Sequence, residues 1–178
     1  MNLKPINPYY KSSARTRVVN YDAYPYTWIE PVTDRTQADV DYAKELLGKT
    51  WHELCDDQKN EYIGGLKGSL NRSDLERIEN NIQILLDVLE INSKSYVEKV
   101  PEFPNTTYYD KMHENVEAIR SRHAVHTDTP ATPELPFNTW NKINAIEKIL
   151  ADVYEIANSQ FYYYSDEIYA GDTVGYIL

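Results

Sequence analysis

The apolar residues of this 178-residue chain recur at helical spacing in four segments, separated by stretches rich in proline and glycine. The first segment predicts a helix over about 37–47, because Thr36 is a suitable N-cap and Gly48 a suitable stop. A shorter helix is predicted to start at Asp56 or its neighbour and to end at the glycine pair 64–65. The apolar positions of the first helix are Val40, Ala43, Leu46 and Leu47.

The strongest helical pattern predicts a helix over residues 74–90. Ser73 and Glu76 have the spacing of a capping box, in which each side chain binds the backbone N–H of the other residue. Ile84 and Val88 widen the apolar face, so we expect this helix to lie in the core of a bundle with both flanks covered. The apolar stripe itself consists of Leu75, Ile78, Ile82, Leu85, Leu86 and Leu89.

Two more helices are predicted in the second half of the chain. One covers about 108–122 after Thr107, and the other covers 138–155 with Asn138 as its N-cap. A connector with three prolines at 130–136 separates them. The first stripe is Met112, Val116 and Ile119, and the second is Trp140, Ile143, Ile146, Leu150, Val153 and Ala157.

Residues 73–90 and 138–155 resemble each other closely enough to suggest a duplicated structural unit. Aligned without a gap, six of their 18 positions are identical, and both segments end in IL-x-DV-x-E. We therefore expect the two helices to pack together and to bury matching faces. The predicted contact places Ile78, Ile82, Leu85 and Leu89 against Ile143, Ile146, Leu150 and Val153.

The two ends of the chain have a different pattern. Residues 1–35 combine prolines with tyrosines and predict an extended arm with short strands around "RVVNY" and "YTWIE". Residues 161–178 are rich in tyrosine and β-branched residues and predict a β-type tail. The fold class is therefore mainly α: a helical bundle over 36–160 built on a duplicated helix, between an extended arm and a short β segment.

Composition and charge narrow the classes of partner. The formal net charge of −10 repels phosphate backbones and anionic bilayers, so we expect neither nucleic acid nor a membrane as a partner. The first residues lack the apolar region of a signal peptide, and the single cysteine cannot form an internal disulfide. We expect a soluble protein made in a reducing cytoplasm. Ten of its 16 tyrosines lie in 1–35 and 161–178, which suits segments that order against other subunits.

The sequence offers few candidates for catalysis or metal binding. His123, His126 and Asp128 have a spacing that could hold a metal, but two imidazoles near a helix end recur by chance. His52 and Cys55 could form a base and a nucleophile, yet a buried or inert thiol is the usual state of a free cysteine. The glycines around "GGLKGSLNRS" fit a turn between helices better than a phosphate loop. We predict no catalytic residue, no cofactor and no metal site.

Four stretches of the chain together resemble a known family. "YTWIEPVTDRTQADVDYAKEL", "GGLKGSLNRSDLERIENNIQIL", "LPFNTWNKINAIEKILADVYEI" and "SDEIYAGDTVGYIL" resemble small structural proteins encoded in the tail and baseplate modules of phages and prophages of Gram-positive, especially clostridial, bacteria. The resemblance covers about residues 26–90 and 105–178. Its first motif is matched by Trp28, Ile29, Pro31, Thr33 and Asp34. Its second is matched by Asn71, Asp74, Leu75, Arg77, Ile78, Glu79, Asn80, Asn81 and Ile82.

The resemblance implies a virion component that acts as an adaptor or assembly component of a bacteriophage tail or baseplate and is not an enzyme. Its expected partners are other tail or baseplate subunits and further copies of itself in the particle. The chain stops soon after "EIYAGD", so we expect no appended receptor-binding or lytic domain. The expected interface residues are Tyr24, Tyr26, Trp28, Tyr162, Tyr163, Tyr164, Ile168 and Tyr169.

Two alternatives from other classes remain at this point. The exposed tyrosines could stack on sugars, which would make the chain a module that binds a host cell-wall glycan. An uncharacterised hydrolase that works through acidic residues is the second alternative, and it would require a cleft and strongly perturbed carboxylates.

Overall fold

The computed structural model describes residues 27–92, 100–122 and 124–165. These residues form five α-helices and one 3-10 turn, and the mainly helical fold class is confirmed. The chain divides into two compact units, Tyr26–Tyr154 and a second made of Met1–Pro25 with Glu155–Leu178. In chain order the elements are α1 (Gln37–Leu47), the 3-10 turn (Trp51–Glu53), α2 (Asp56–Gly64), α3 (Arg72–Val88), α4 (Thr106–Ser121) and α5 (Trp140–Ser165).

The predicted helix 37–47 is confirmed at both ends. Thr36 and Asp39 form a capping box, and the backbone N–H of Gly48 bonds back to the last turn of α1. The helix predicted from Asp56 is confirmed as α2. It ends before Gly65, whose positive φ of 94° is a conformation that favours glycine. A small apolar cluster joins this region and consists of Ala43, Leu46, Leu54 and Leu66.

Gly68 fixes the distance between α1 and the turn that follows α2. A Cβ atom at this position would lie 1.9 Å from the carbonyl oxygen of Asp39, which is far inside van der Waals contact. Only glycine lets the turn approach the backbone of α1 so closely. The glycine-rich stretch is therefore a turn between helices, as predicted.

The predicted capping box of the central helix is wrong by two residues. Helix α3 begins after Asn71 instead of Ser73, and the Asn71 N–H donates to a carboxylate oxygen of Asp74 at 2.9 Å. Glu76 is not the capping acid, because Ser73 lies inside the helix, and the Glu76 side chain forms an exposed ion pair with Arg72 at 2.8 Å. The N-cap of α3 therefore uses Asp74, which also forms ion pairs with Arg35 and Arg77.

The predicted burial is confirmed at all eight apolar positions assigned to the contact between the two predicted helices, and the packing of these helices against each other stays a prediction. Each of the eight positions is at least nine-tenths buried, and Ile78, Ile82, Leu85, Ile146 and Leu150 are inaccessible to solvent. Two aligned positions differ in environment, since Asp87 is exposed whereas Asp152 is buried and accepts a hydrogen bond from Thr129 at 2.6 Å. The duplication itself stays a prediction.

The helix predicted over 108–122 is confirmed as α4, which begins slightly earlier, with the Asn105 side chain accepting from the Tyr108 N–H. Helix α5 starts later than predicted and is longer. It continues through Ser165, so residues 161–165, assigned to a β-type tail, are helical, and residues 166–178 lie outside the described part of the chain.

The described part of the predicted extended arm, residues 27–35, has no regular secondary structure and pairs with no strand within the described residues. Its backbone groups bond to side chains instead. Asn81 accepts from the Ile29 N–H at 3.1 Å and donates to the Ile29 carbonyl at 2.7 Å. Asn144 binds the backbone of Arg35 in the same way, at 3.3 and 2.8 Å. The strand predicted at "YTWIE" is therefore wrong for residues 27–30, because two helices supply the hydrogen bonds that a neighbouring strand would provide.

Candidate interaction surface

Five large apolar side chains are exposed on α1, the 3-10 turn and α2, and four of them, all except Leu47, are grouped as one surface. We call this set the aromatic face: Tyr42, Trp51, Tyr62 and Ile63. The rings of Trp51 and Tyr62 pack edge to face with 6.1 Å between centroids. Ile63 is the most exposed member, with 74% of its surface accessible. Aromatic side chains are enriched at protein interfaces and provide large contact area at a small cost in conformational entropy.

Helix α2 explains why this surface exists. None of its nine residues is buried, so its apolar side chains do not hold it to the rest of the protein. A cap at its start and the small apolar cluster beside it keep the helix in place. An apolar residue that contributes nothing to the core is available for a partner.

Polar contacts fix the rings of the aromatic face. The Tyr42 hydroxyl donates to Glu61 at 2.6 Å, and this hydrogen bond is the main reason why the pKa of Tyr42 is raised. The Lys59 ammonium lies 5.9 Å from the centroid of the Trp51 ring, which is within cation–π range. The face is therefore partly ordered before any partner arrives.

The predicted interface residues occupy different places. Trp28 is half-buried and its ring stacks on Tyr154 with 3.8 Å between centroids, inside the unit Tyr26–Tyr154. Residues 162–164 belong to the helical backbone of α5. The other predicted interface residues, Tyr24, Tyr26, Ile168 and Tyr169, lie outside the described part of the chain. The sequence analysis did not predict the aromatic face. A signal for it was present, because α2 has too few apolar residues to form a buried stripe, and its Tyr62 and Ile63 are therefore exposed.

A group of four charges, three of them buried and one half-buried, holds the extended segment to the helices. We call it the paired cluster: Arg35, Asp74, Arg77 and Glu147. Arg35 contacts Asp74 and Glu147 at 2.9 Å each, and Arg77 contacts the same two acids at 2.7 and 2.8 Å. Two guanidinium groups thus neutralise two carboxylates, one from α3 and one from α5.

Backbone groups complete the paired cluster. The Val32 N–H donates to Glu147 at 2.6 Å, and the Val32 carbonyl accepts from Arg35 at 2.6 Å. Burial alone would raise the pKa of Asp74, but hydrogen bonds from the Asn71 backbone and Arg77, with the charge of Arg35, lower it overall. Burial likewise opposes ionisation of Arg77, and its bonds to Glu147 and Asp74 outweigh that effect and raise its pKa.

Another buried acid, Glu79, has no such partners. Neither of its carboxylate oxygens has a hydrogen-bond partner, nor has the hydroxyl of Tyr108, among the residues that the structure describes. Burial raises the pKa of Glu79 to about 7, and the nearby Tyr108 hydroxyl, although outside hydrogen-bond geometry, offsets part of this effect. Burial also raises the pKa of Tyr108. Glu79 lies on α3, which packs against the helix that carries Tyr108.

The predicted metal and nucleophile candidates fall on the surface. His126 and Asp128 are exposed, and Asp128 pairs with Lys148 at 3.4 Å; His123 is outside the described residues. Cys55 is exposed instead of buried, because it occupies the cap position of α2. Within the described ranges, no group of three or more His, Cys, Asp or Glu side chains could hold a metal ion. In the same ranges, none of the helices is long and apolar enough to cross a membrane.

A cleft of about 470 Å³ lies beside α1 and the start of α5. Trp140 is half-buried at its edge and its indole N–H donates to Gln37 at 3.2 Å. Asn138, Asn141 and Lys44 also line the cleft. Aromatic and amide side chains together suit a sugar ring, so the glycan alternative can be tested here.

No protein-family model, no curated protein and no solved structure matches this chain.

Proposed function

We propose that this chain is a structural protein of a phage or prophage virion and acts as an adaptor in the assembly of the tail or baseplate. The aromatic face is the observation that carries this proposal. A helix that buries none of its residues, and that presents Tyr62 and Ile63 to solvent, suits a surface that another subunit covers.

The two sequence motifs on which the resemblance rests also contact each other. The first motif contains Ile29, whose backbone N–H and carbonyl are both bound by Asn81 of the second motif. Asn80 of the second motif donates to the carbonyl of Thr27 at 2.9 Å. Asp74 of the second motif forms an ion pair with Arg35, which follows the last residue of the first motif. This supports an architectural role for both motifs, in which the helix holds an extended segment in a fixed position.

An adaptor requires that its binding surface, here the aromatic face, is held rigidly to the rest of the protein. Gly68 seats the turn after α2 against α1, and the Lys67 ammonium contacts Asp34 of the extended segment at 2.9 Å. The paired cluster then anchors that segment to α3 and α5. The face is thereby connected to the core through short contacts, so a partner bound there would be held in a defined orientation.

Particles induced from a host that carries this gene provide the test. Purified particles are separated into heads and tails, and mass spectrometry measures how much of the chain is present in each fraction. We expect the chain in the tail fraction at a constant ratio to the other tail proteins. Its absence from purified particles, with the chain present in the lysate, would refute the proposal.

A glycan-binding function makes a different expectation at the cleft beside α5. Binding of host cell-wall fragments to the purified chain would have to fall when Trp140 is replaced by alanine. Binding that is lost in Trp140→Ala and kept in Trp51→Ala would favour this alternative over the adaptor, because the two tryptophans lie on the cleft and on the aromatic face respectively.

A further inference from the structure

We infer that the aromatic face docks a protein surface with an apolar centre and a rim of lysine or arginine, and not a second copy of this chain. This inference rests on the proposed function, since it takes the aromatic face as a subunit interface. It adds the chemistry of the partner, which the resemblance does not specify.

The charges around the aromatic face are predominantly acidic. Residues 41–61 contain six acids and three lysines, which leaves a net charge of −3 on this short segment. All six acids are exposed. They are Asp41, Glu45, Glu53, Asp56, Asp57 and Glu61.

The three lysines offset this field only in part, because they can neutralise three of the six acids and a net charge of −3 remains. Lys49 contacts Glu45 at 2.6 Å, and Lys59 contacts Asp56 at 3.4 Å. Glu53 is bound by the backbone N–H and the hydroxyl of Thr50, and these hydrogen bonds lower its pKa, so it stays ionised at neutral pH. A partner therefore meets apolar rings on a segment with a net negative charge, in which Lys59 lies beside Trp51.

This arrangement discriminates between the possible occupants. A second copy would bring the same acidic segment against the first, and the whole chain carries a net charge of −10. Like charges placed opposite each other across an interface disfavour association, whereas a basic rim speeds encounter and fixes orientation. Phosphate backbones and anionic bilayers are repelled for the same reason. Charge complementarity leaves a basic-rimmed protein surface as the occupant that fits.

Two model peptides test the inference with the purified full-length chain. One is a short helical peptide with a leucine face flanked by lysines, and the other has glutamates in place of the lysines. Calorimetry measures their affinities at low salt and at about 1 M salt, where the Debye length falls to about 3 Å. We expect only the lysine peptide to bind, and we expect its affinity to fall about tenfold or more in high salt.

Matched variants locate the binding on the protein. Replacing both Trp51 and Tyr62 with alanine should weaken the lysine peptide by about tenfold or more. Phe103→Ala removes a ring that is 81% exposed elsewhere and should leave the affinity unchanged. If the double variant does not fold, Asp57→Lys with Glu61→Lys serves instead, because both positions are exposed. This charge reversal should weaken the lysine peptide and allow the glutamate peptide to bind.

Three results would overturn the inference. The lysine peptide could fail to bind, it could bind the parent and the double alanine variant equally, or the parent could form dimers that the double variant abolishes. The particle experiment separates this failure from that of the proposed function. A chain present in tails that does not bind the lysine peptide would keep the function and reject the partner chemistry. A chain that binds the peptide but is absent from particles would do the reverse.

Discussion

Two buried acids of α3, five residues apart, differ in the direction in which their pKa is shifted. Asp74 is 7% exposed and its pKa is lowered, whereas Glu79 is 5% exposed and its pKa is raised to about 7. Both residues are carboxylic acids on one helix, and the exposed fractions of their surfaces are similar. The difference lies in what each carboxylate faces: two guanidinium groups and a backbone N–H for Asp74, and an unbonded tyrosine hydroxyl for Glu79.

This comparison separates the desolvation of a charge from its compensation. Burial disfavours ionisation of both acids, and only Asp74 receives enough hydrogen bonds and positive charge to reverse the effect. The paired cluster therefore fixes one arrangement of the chain, because removing any one member leaves the remaining charges unbalanced in a buried site. Glu79 instead makes the free energy of unfolding depend on whether its carboxyl group is protonated.

The largest expected effect breaks the paired cluster. Arg35→Ala leaves Asp74 and Glu147 facing a single guanidinium, and Glu147 is only 1% exposed. We expect a loss of about 3–5 kcal/mol in the free energy of unfolding, measured by urea denaturation at pH 7. Lys49→Ala is the control, since it removes an exposed pair of similar length and should cost about 0.3–0.5 kcal/mol. Equal losses in the two variants would show that the cluster is not coupled to the fold.

The second prediction concerns pH and Glu79. Its folded pKa of about 7 lies above the ordinary value of 4.5, so the folded state binds the extra proton. The associated stability is fully present below pH 4.5 and is lost as pH rises through 7, a decrease of roughly 3 kcal/mol. Glu79→Gln cannot ionise. We therefore expect the difference in unfolding free energy between parent and variant to change by this amount across the window, and parallel curves would contradict the prediction.

The contrast between these two regions could not be read from the sequence. Periodicity predicted that Ile78, Ile82 and Leu85 are buried, because apolar side chains at helical spacing share one face. It made no prediction for the burial of Asp74 and Glu79 in the same helix, and charged residues are rarely buried without partners. Arg35, which pairs with Asp74, is 39 residues away from it in the chain, and it is 112 residues away from Glu147, the other acid that it binds. No local pattern reports such contacts.

The same limit explains the other errors. The aromatic face was missed because the tyrosine count directed attention to the two ends of the chain, whereas Tyr42 and Tyr62 are isolated along the sequence. The cap of α3 was misplaced because Ser73 with Glu76 and Asn71 with Asp74 both satisfy the capping pattern. Tertiary contacts decide between them, since Asp74 is also needed by the two arginines.

The third prediction concerns the contribution of Asp74 to stability at acidic pH. The pKa of Asp74 is lowered below 3.8, so its contribution to stability is present above pH 3.8 and is lost as pH falls through the folded pKa. Asp74→Asn should cost about 1–3 kcal/mol at pH 7, because a neutral amide replaces a carboxylate that binds both arginines. We expect the difference in unfolding free energy between parent and variant to shrink below pH 3.8. A constant difference down to acid would mean that Asp74 ionises equally in both states.

The smallest expected effect has the opposite sign. The buried Tyr108 hydroxyl has no hydrogen-bond partner among the described residues, so Tyr108→Phe removes an unsatisfied polar group and keeps the ring in place. At pH 6, where Glu79 is mostly protonated, we expect a gain of about 1 kcal/mol or less in the free energy of unfolding. Tyr42→Phe is the control, because its exposed hydroxyl donates to Glu61 and its loss should change stability by less than about 0.5 kcal/mol.

The same variant also tests the electrostatic contact with Glu79. The hydroxyl lowers the pKa of Glu79, so its removal should move the pH-dependent loss of stability to higher pH. A clear destabilisation at pH 6 would mean that the two groups form a hydrogen bond in solution. The Glu79 region would then be a paired site like that of Asp74, and the contrast between the two acids would rest on the number of partners instead of their presence.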